Sequence, residues 1–193
     1  MTLRRYLKLL TLGTLLLGPM SLLAATPTNP APAAALLRTA LLVGDVERSL
    51  AFYQLLGFEV ESDTQNARNP VTTPFPLNAP STAVRLVILA SRSGRGGKLG
   101  LVAFSAPVPP AIRPESAFVG RGDPVLVFDV PDAVALHARL VAAGAKVVES
   151  PLVYKSRQTD ANGRQMEGRV FHAFDPDGVL IELLEAPKPV STP

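Results

Sequence analysis

The sequence predicts an α+β fold built from two βαβββ modules, because the same order of elements occurs twice along the chain. A fixed offset of 87 residues matches a strand, a helix cap, a helix end and a second strand in both halves. The matched pairs are Val43 with Val130, Asp45 with Asp132, Gly57 with Gly144 and Val60 with Val147. A second offset of 80 residues places LVAFSAP (101–107) on IELLEAP (181–187), which both end in Ala-Pro. We interpret these repeats as an internal duplication.

The first module spans residues 37–105 and begins with the strand pattern LRTALLV (37–43). Asp45 can cap a helix over VERSLAFYQLL, and Gly57 can end that helix. The rest of the module is predicted as a strand FEVESD (58–63), a polar loop (64–82) and a hairpin of VRLVILA (84–90) and KLGLVAF (98–104).

The second module spans residues 124–187 and repeats this order from the strand PVLVFDV (124–130). Asp132 can cap the helix AVALHARLVAA, and Gly144 can end it. The rest is predicted as a strand AKVVES (145–150), a polar loop (155–168) and the strand pair FHAFDPDGVLIELLEAP (171–187), joined by an Asp-Pro-Asp-Gly turn.

Residues 1–25 have the pattern of a secretory signal peptide, with Arg4, Arg5 and Lys8 before a Leu-rich stretch that ends at small residues. That stretch is more interrupted than the roughly 20 apolar residues of a membrane span, and an uncleaved membrane anchor is the alternative. A Pro/Ala-rich linker (26–36), the two modules (37–187) and a tail (188–193) follow. We therefore expect an exported protein, periplasmic or secreted.

The charge and cysteine content of the chain limit the kinds of binding partner that we expect. Three of the 19 Lys and Arg residues lie in residues 1–25, which leaves 16 basic against 16 acidic side chains. This near-neutral remainder gives no reason to expect nucleic-acid binding. The lack of cysteine excludes disulfides and a lipid-modified N-terminal cysteine. We expect a small-molecule partner, membrane contact only through an uncleaved signal, and either a monomer or a homodimer.

Glu182 is unusual because it stands in the apolar run LIELL, where burial of a carboxylate is costly without a partner. Alternate residues of a strand face opposite sides of a sheet, so the repeats can be used to find positions that share its face. The two offsets place four equivalent positions on one inner surface: Arg38, Val102, Val125 and Glu182.

The segments VGDVERSLAFYQLLGFEV (43–60) and DPDGVLIELLE (175–185), within this duplicated pattern, resemble the vicinal oxygen chelate superfamily. That superfamily includes glyoxalase I, the bleomycin and fosfomycin resistance proteins, and the extradiol dioxygenases. The resemblance covers about residues 37–187 and implies that the two modules form a cupped, incomplete β-barrel. Because the superfamily contains many activities, the resemblance does not by itself define the function.

The resemblance also implies a metal site at the four inner positions, where relatives carry His, Gln or Glu. This sequence retains only Glu182, since the Arg38 guanidinium has no acceptor and valines are not ligands. A divalent ion takes three or more suitable protein ligands, so we expect no cofactor and no usual metal site. The alternative is a register change that turns Asp123 inward, under which a divalent metal could bind.

We predict instead that Arg38 contacts Glu182 directly, because a bidentate Arg–carboxylate pair lessens the cost of burying both groups. This pair would either fill the vacated metal site or leave Arg38 to hold a substrate carboxylate or phosphate.

His172 lies ten residues before Glu182, and the resemblance implies a polar residue beside the substrate at this position. An imidazole can act as acid or base near neutral pH, so His172 and Glu182 are the candidate catalytic residues. The simpler interpretation is a strand histidine hydrogen-bonded to a neighbour. We interpret His137 as a surface or boundary residue, and we expect Glu185 to face solvent.

Most of the other inner positions are apolar, which is typical of a small-molecule site. The predicted ligand-binding residues are Arg38, Val102, Phe104, Val125 and Leu184. The loops 64–82 and 155–168 would border this cup, and cations of the second loop could attract an anionic ligand. We therefore predict an exported protein that binds a small organic molecule without turnover. The alternatives are a lyase, isomerase or dioxygenase, with or without a divalent metal, and an interaction scaffold.

Overall fold

The computed structural model describes residues 34–66, 75–77, 83–105, 108–111 and 118–189, and all their helices and strands lie in one compact unit, Ala35–Pro193. The first module contains β1 (Arg38–Leu42), α1 (Val46–Leu55), β2 (Phe58–Asn66), β3 (Ala83–Ser91) and β4 (Lys98–Ser105). The second contains β5 (Val125–Val130), α2 (Ala133–Ala142), β6 (Lys146–Val147), β7 (Leu152–Thr159), β8 (Gln165–Phe174) and β9 (Leu180–Pro189).

Several sequence-based expectations fall outside these residues. The predicted signal peptide and most of the linker lie in residues 1–33, and the predicted loop 64–82 is described only in part. No helix in the described part of the chain is long and apolar enough to cross a membrane.

Each module forms its own sheet. The first sheet has the strand order β1-β4-β3-β2, and the second has the order β5-β9-β8-β6 with β7 also paired to β8. The pairs β1–β4 and β5–β9 are parallel, whereas the other pairs are antiparallel. Within the described residues the sheets do not close into a barrel. The predicted α+β fold of two βαβββ modules is confirmed.

The two helices begin and end as the sequence predicts. The Asp45 carboxylate accepts a hydrogen bond from the Arg48 N–H at 3.1 Å, and the Asp132 carboxylate accepts one from the Ala135 N–H at 2.9 Å. These caps satisfy backbone donors that have no partner within the helix. Gly57 follows α1 with φ +91°, a conformation that favours glycine and ends the helix.

The register of the parallel pairs corrects one predicted equivalence. Ala40 pairs with Gly100, and Val127 pairs with Glu182. Since Ala40 and Val127 are equivalent at the 87-residue offset, the counterpart of Glu182 is Gly100, at an offset of 82. The predicted match of Val102 with Glu182 is therefore wrong by two residues, because hydrogen-bonded neighbours set the register and the shared Ala-Pro does not. A two-residue shift keeps the same face, so both residues remain on inner faces.

One hydrophobic core lies on the helix side of both sheets and joins the two modules. The ring of Phe58 in the first module contacts the ring of Phe128 in the second, edge to face, with centroids 5.4 Å apart. Each fully buried large apolar side chain contributes roughly 1.5–3 kcal/mol of burial free energy. The largest of them are Tyr53, Leu89, Leu101, Leu140, Phe171, Ile181 and Leu183.

The Asp-Pro-Asp-Gly turn of the second module is bound to α1 of the first. The Tyr53 hydroxyl donates to the buried Asp175 carboxylate at 2.8 Å. The Asp177 carboxylate accepts from the Gly44 N–H and from the Ser49 hydroxyl, each at 2.9 Å. Burial raises the pKa of Asp175, and the desolvated Tyr53 hydroxyl beside it also has a raised pKa. The turn therefore connects the modules through polar groups as well as through the core.

The prediction of a polar loop at residues 155–168 is wrong, because these residues form most of a β7–β8 hairpin. Asp160 closes its turn by accepting hydrogen bonds from the Asn162 and Arg164 N–H groups, and its second oxygen pairs with the Arg164 guanidinium at 2.7 Å. β7 and the turn that follows it are mostly exposed, so their polar residues show no alternation that marks a strand. The predicted strand 145–150 is shortened to Lys146–Val147.

The expectation that Glu185 faces solvent is also wrong, since this side chain is only 6% exposed. Its carboxylate accepts from the Ala133 N–H at 3.1 Å and from the Lys188 ammonium at 2.8 Å. These partners lower the pKa of Glu185, the Lys188 hydrogen bond most of all. Glu185 thus satisfies the N-terminus of α2, which has no acidic residue in its own first turn.

Gly168 is expected to tolerate no side chain. A Cβ at this position would lie 2.5 Å from the Tyr154 ring and 2.5 Å from the Glu185 carbonyl oxygen. Gly168→Ala should therefore lower the free energy of unfolding by roughly 1–3 kcal/mol, measured by urea denaturation. The matched control is Gly97→Ala, where a Cβ meets no atom within 4 Å. Equal stability of the two variants would contradict the close packing of Tyr154 over Gly168.

Asp175 should make the stability of the folded protein depend on pH. Because the pKa of Asp175 is raised above 3.8 on folding, its stabilisation is fully present below that value and is lost as the pH rises through the folded value. The difference in unfolding free energy between wild type and Asp175→Asn should therefore decrease as the pH rises. Glu185 supplies the control of opposite sign, since its lowered pKa stabilises the fold above 4.5. Wild type relative to Glu185→Gln should gain stability as the pH rises. A flat difference for Asp175→Asn would contradict the prediction.

Candidate functional site

The inner face of the first sheet, which is turned away from the helices, is covered by its own chain around Val102 and Phe104, whereas Leu42 on this face is 47% exposed. Val102 and Phe104 are buried there together with Val84, and Leu77 packs on this group. The ring of Phe75 contacts the ring of Phe104, edge to face, with centroids 5.5 Å apart. Val102 and Phe104 therefore serve as core residues and expose only a small part of their surface to any ligand.

A cavity of about 620 Å³ adjoins this covered face. Its walls come from β1 and β4 of the first module, from the segment between the modules and from the β8–β9 turn. Residues that represent these walls are Leu42, Val102, Phe104, Val108, Val119 and Leu180. The lining is mainly apolar, and its charged side chains are Asp123 and Asp177. Asp123 accepts a hydrogen bond from the Gly120 N–H within its own turn.

The inner face of the second sheet is open by comparison. Val127 is 56% exposed, and its neighbour Val125 is also exposed. On the adjacent strand β9, Leu180, Glu182 and Leu184 follow one another on this face and are half-buried. Leu180 is shared with the cavity wall, so the cavity and the open face are continuous along β9.

Glu182 meets His172 rather than Arg38. His172 lies directly opposite Glu182 in the β8–β9 pair, and its Nε2 atom is 3.5 Å from Glu182 Oε2. Among the described residues, Arg38 forms no ion pair with Glu182 within 4.0 Å, and the predicted direct contact is wrong. Arg38 instead extends over Gly100, where a Cβ would lie 3.6 Å from Arg38 Cδ. The two residues belong to different sheets, so equivalence under the repeat does not make them neighbours.

Glu149 is a residue of this site that the sequence did not reveal. It lies between β6 and β7. Neither of these strands pairs with β8 at His172, so the His172 N–H has no partner on this side of β8 within the sheet. Glu149 Oε1 accepts from that N–H at 2.8 Å and lies 2.7 Å from His172 Nδ1. The one sequence feature that could have indicated this break is Pro151, which has no N–H and so favours an interruption of a strand.

The contact with Glu149 determines which ring nitrogen of a neutral His172 carries the proton. A carboxylate only accepts, so the proton of the neutral ring is placed on Nδ1 by this network, and Nε2 keeps its lone pair. His172 and Glu182 side chains are each 32% exposed, which leaves their polar atoms within reach of a ligand. We name Glu149, His172 and Glu182 together the histidine site.

The surroundings of the histidine site are acidic. Burial, and then the charges of Asp129, Glu182 and Glu185, raise the pKa of Tyr154. Asp129 is paired at 2.6 Å with Arg95, which reaches it from the β3–β4 turn of the first module. The cation Arg164, expected to attract an anion, is instead paired with Asp160 in the hairpin turn.

The four positions that hold a metal in relatives do not fit a divalent cation here. With the corrected register they are Arg38, Gly100, Val125 and Glu182, of which only Glu182 offers a ligand. Among the described residues, no group of three or more His, Cys, Asp or Glu side chains could hold a metal ion. His137 stays apart from this site, since its half-buried ring contacts the Phe171 ring at 5.3 Å.

Comparison with known families identifies the class of protein that this duplicated fold represents. The model of the Glyoxalase/Bleomycin resistance protein/Dioxygenase superfamily matches residues 35–183. The chain belongs to this superfamily. The resemblance found in the sequence is thereby confirmed. The comparison with curated proteins gives no match.

Solved structures support the same fold. A glyoxalase family protein from Bacillus cereus is 18% identical, with a TM-score of 0.61, and the match covers 82% of this chain and 97% of that chain. The trypanothione-dependent glyoxalase I of Leishmania major is 21% identical, with a TM-score of 0.50 and coverage of 79% and 87%. A glyoxalase I mutant from Zea mays is 17% identical, with a TM-score of 0.51 and coverage of 79% and 44%. At these identities the similarity concerns the fold alone.

Proposed function

We propose that this protein binds a small, largely apolar organic molecule in the cavity between its two modules. The observation that carries the proposal is the cavity of about 620 Å³, whose walls are mainly apolar and whose polar groups are few. Such a composition and volume are typical of small-molecule sites. The predicted ligand residues Val102 and Phe104 line this cavity, whereas Val125 and Leu184 lie on the open face of the second sheet.

The charges near the cavity favour a neutral or cationic ligand over the anionic one expected from the sequence. Among the described residues, the charged side chains of the lining are Asp123 and Asp177, both carboxylates, and Asp177 lies 3.7 Å from the Arg48 guanidinium. Glu182 lies on the same face of β9 as the cavity residue Leu180, and it adds a third carboxylate. Arg38 would then be a structural residue that packs over Gly100 rather than an anchor for a substrate carboxylate.

We propose that the superfamily's metal site has been lost, because Glu182 alone cannot replace a set of three ligands. No cofactor is part of the proposed binding function. Export to the periplasm or beyond is proposed from the basic and Leu-rich residues 1–25 alone.

The binding proposal predicts that a neutral apolar fluorophore, N-phenyl-1-naphthylamine, binds the folded protein with one saturable site. Leu42→Trp should weaken this binding roughly tenfold or more, because the larger side chain fills the cavity that Leu42 lines. The matched control is Leu152→Trp on β7, which replaces another exposed strand leucine away from the cavity. Fluorescence titration measures both, and equal affinities for the two variants would refute the assigned cavity.

The loss of the metal site predicts that protein purified without chelators contains no stoichiometric transition metal. Elemental analysis by mass spectrometry measures this directly, with Glu182→Ala and the distant Glu61→Ala as a matched pair. One equivalent of zinc, nickel, iron or manganese that disappears in Glu182→Ala and persists in Glu61→Ala would overturn the proposal. That result would favour the alternative of a metal-dependent enzyme of the superfamily.

A further inference from the structure

We propose that the histidine site recognises a protonated amino group on the ligand that occupies the cavity. This inference rests on the proposed binding function and names the chemical class of its ligand. The ligand would be a small apolar amine, with its body in the cavity and its ammonium group between His172 Nε2 and Glu182 Oε2.

The hydrogen-bonding capacity of the site fits an ammonium group. Glu149 engages Nδ1 at 2.7 Å, so the neutral imidazole presents a lone pair at Nε2. Glu182 Oε2 lies 3.5 Å from that atom, a separation at which one donor group can reach both. Two adjacent acceptors with no donor between them would repel a carbonyl or a carboxylate. An ammonium group offers three N–H donors and satisfies both acceptors at once.

The position of the site fits an extended ligand. Leu180 forms part of the cavity wall, and Glu182 is two residues further along the same face of β9. Two residues of a strand span about 7 Å, which is close to the reach of an aromatic ring with a two-carbon amine chain. Val127, exposed beside Glu182, would cover the apolar part of that chain.

The charge of the site favours a cation over a neutral hydroxyl group. In the described residues, no Lys or Arg lies within 4.0 Å of the Glu149 or Glu182 carboxylate. Arg95 approaches the same face, but it is paired with Asp129 at 2.6 Å. Burial raises the pKa of the nearby Tyr154, and the charges of Asp129, Glu182 and Glu185 raise it further. A ligand cation would therefore form an ion pair with the carboxylate, which an alcohol cannot do.

The test compares three ligands of similar shape with the full chain: 2-phenylethylamine, 2-phenylethanol and 3-phenylpropanoate. Titration calorimetry should show the amine binding about tenfold more tightly than the alcohol, which corresponds to about 1.4 kcal/mol. The carboxylate should bind least. Glu182→Gln should remove the preference for the amine over the alcohol. The matched control Glu61→Gln, a carboxylate on β2 paired with Lys98, should keep the preference.

The outcomes separate this inference from the binding proposal. If the alcohol binds and the amine gains nothing, or if the preference survives in Glu182→Gln, the amine inference is wrong and the cavity remains. If none of the three ligands binds and N-phenyl-1-naphthylamine also fails, both proposals are wrong. The ring ¹⁵N shifts of His172 give a further readout, because the neutral ring is expected to carry its proton on Nδ1. A ring protonated at Nε2 would overturn the inference, since Nε2 would then be a donor.

Discussion

The hydrogen bond from Tyr53 to the buried Asp175 carboxylate is the interaction on which the rest of the site depends. It holds the β8–β9 turn against α1, and Asp177 extends the contact to Gly44 and Ser49. Asp175 also accepts from the Asp177 and Val179 N–H groups, so the same carboxylate shapes the turn that it attaches. A buried carboxylate is tolerated here because each oxygen has a partner. Through this contact the second module supplies one wall of a cavity whose other walls come from the first module and from the segment between the modules.

The same turn determines where β9 begins and therefore which residues point into the site. Once Val179 is bound to Asp175, Leu180 starts the strand at the cavity, and Glu182 follows on the same face. Opposite it, the break between β6 and β7 frees the His172 N–H, and Glu149 takes it. A carboxylate, an imidazole and a second carboxylate thus lie next to one another, and Glu182 shares its face of β9 with the cavity residue Leu180. At this inner position Glu182 lies 3.5 Å from the imidazole of His172, whose other ring nitrogen contacts Glu149.

Repetition along the chain made the architecture predictable. The Asp caps, the Gly helix ends and the alternation of the strands depend on local geometry, and the structure agrees with each of them. Pairing between side chains was harder to predict. The shared Ala-Pro suggested an offset of 80 residues between the last strands of the two modules, but the strand pairing gives 82. The predicted contact between Arg38 and Glu182 is wrong because they belong to separate sheets. The polar hairpin β7–β8 lacked alternation, and Glu185 is buried only because α2 begins beside it. The errors at Arg38 and Glu185 concern partners distant in sequence, whereas the hairpin error concerns neighbouring strands.

The sequence by itself determined the duplicated βαβββ order, the helix boundaries and the inner faces, because backbone propensity and side-chain period act over a few residues. It also determined that Glu182 needs a partner, since an acidic side chain in an apolar strand is costly to bury. Only the tertiary structure decided that the partner is His172 and that Glu149 orients its ring. These choices depend on the β8–β9 register and on a strand break 23 residues away from His172, which no local pattern encodes.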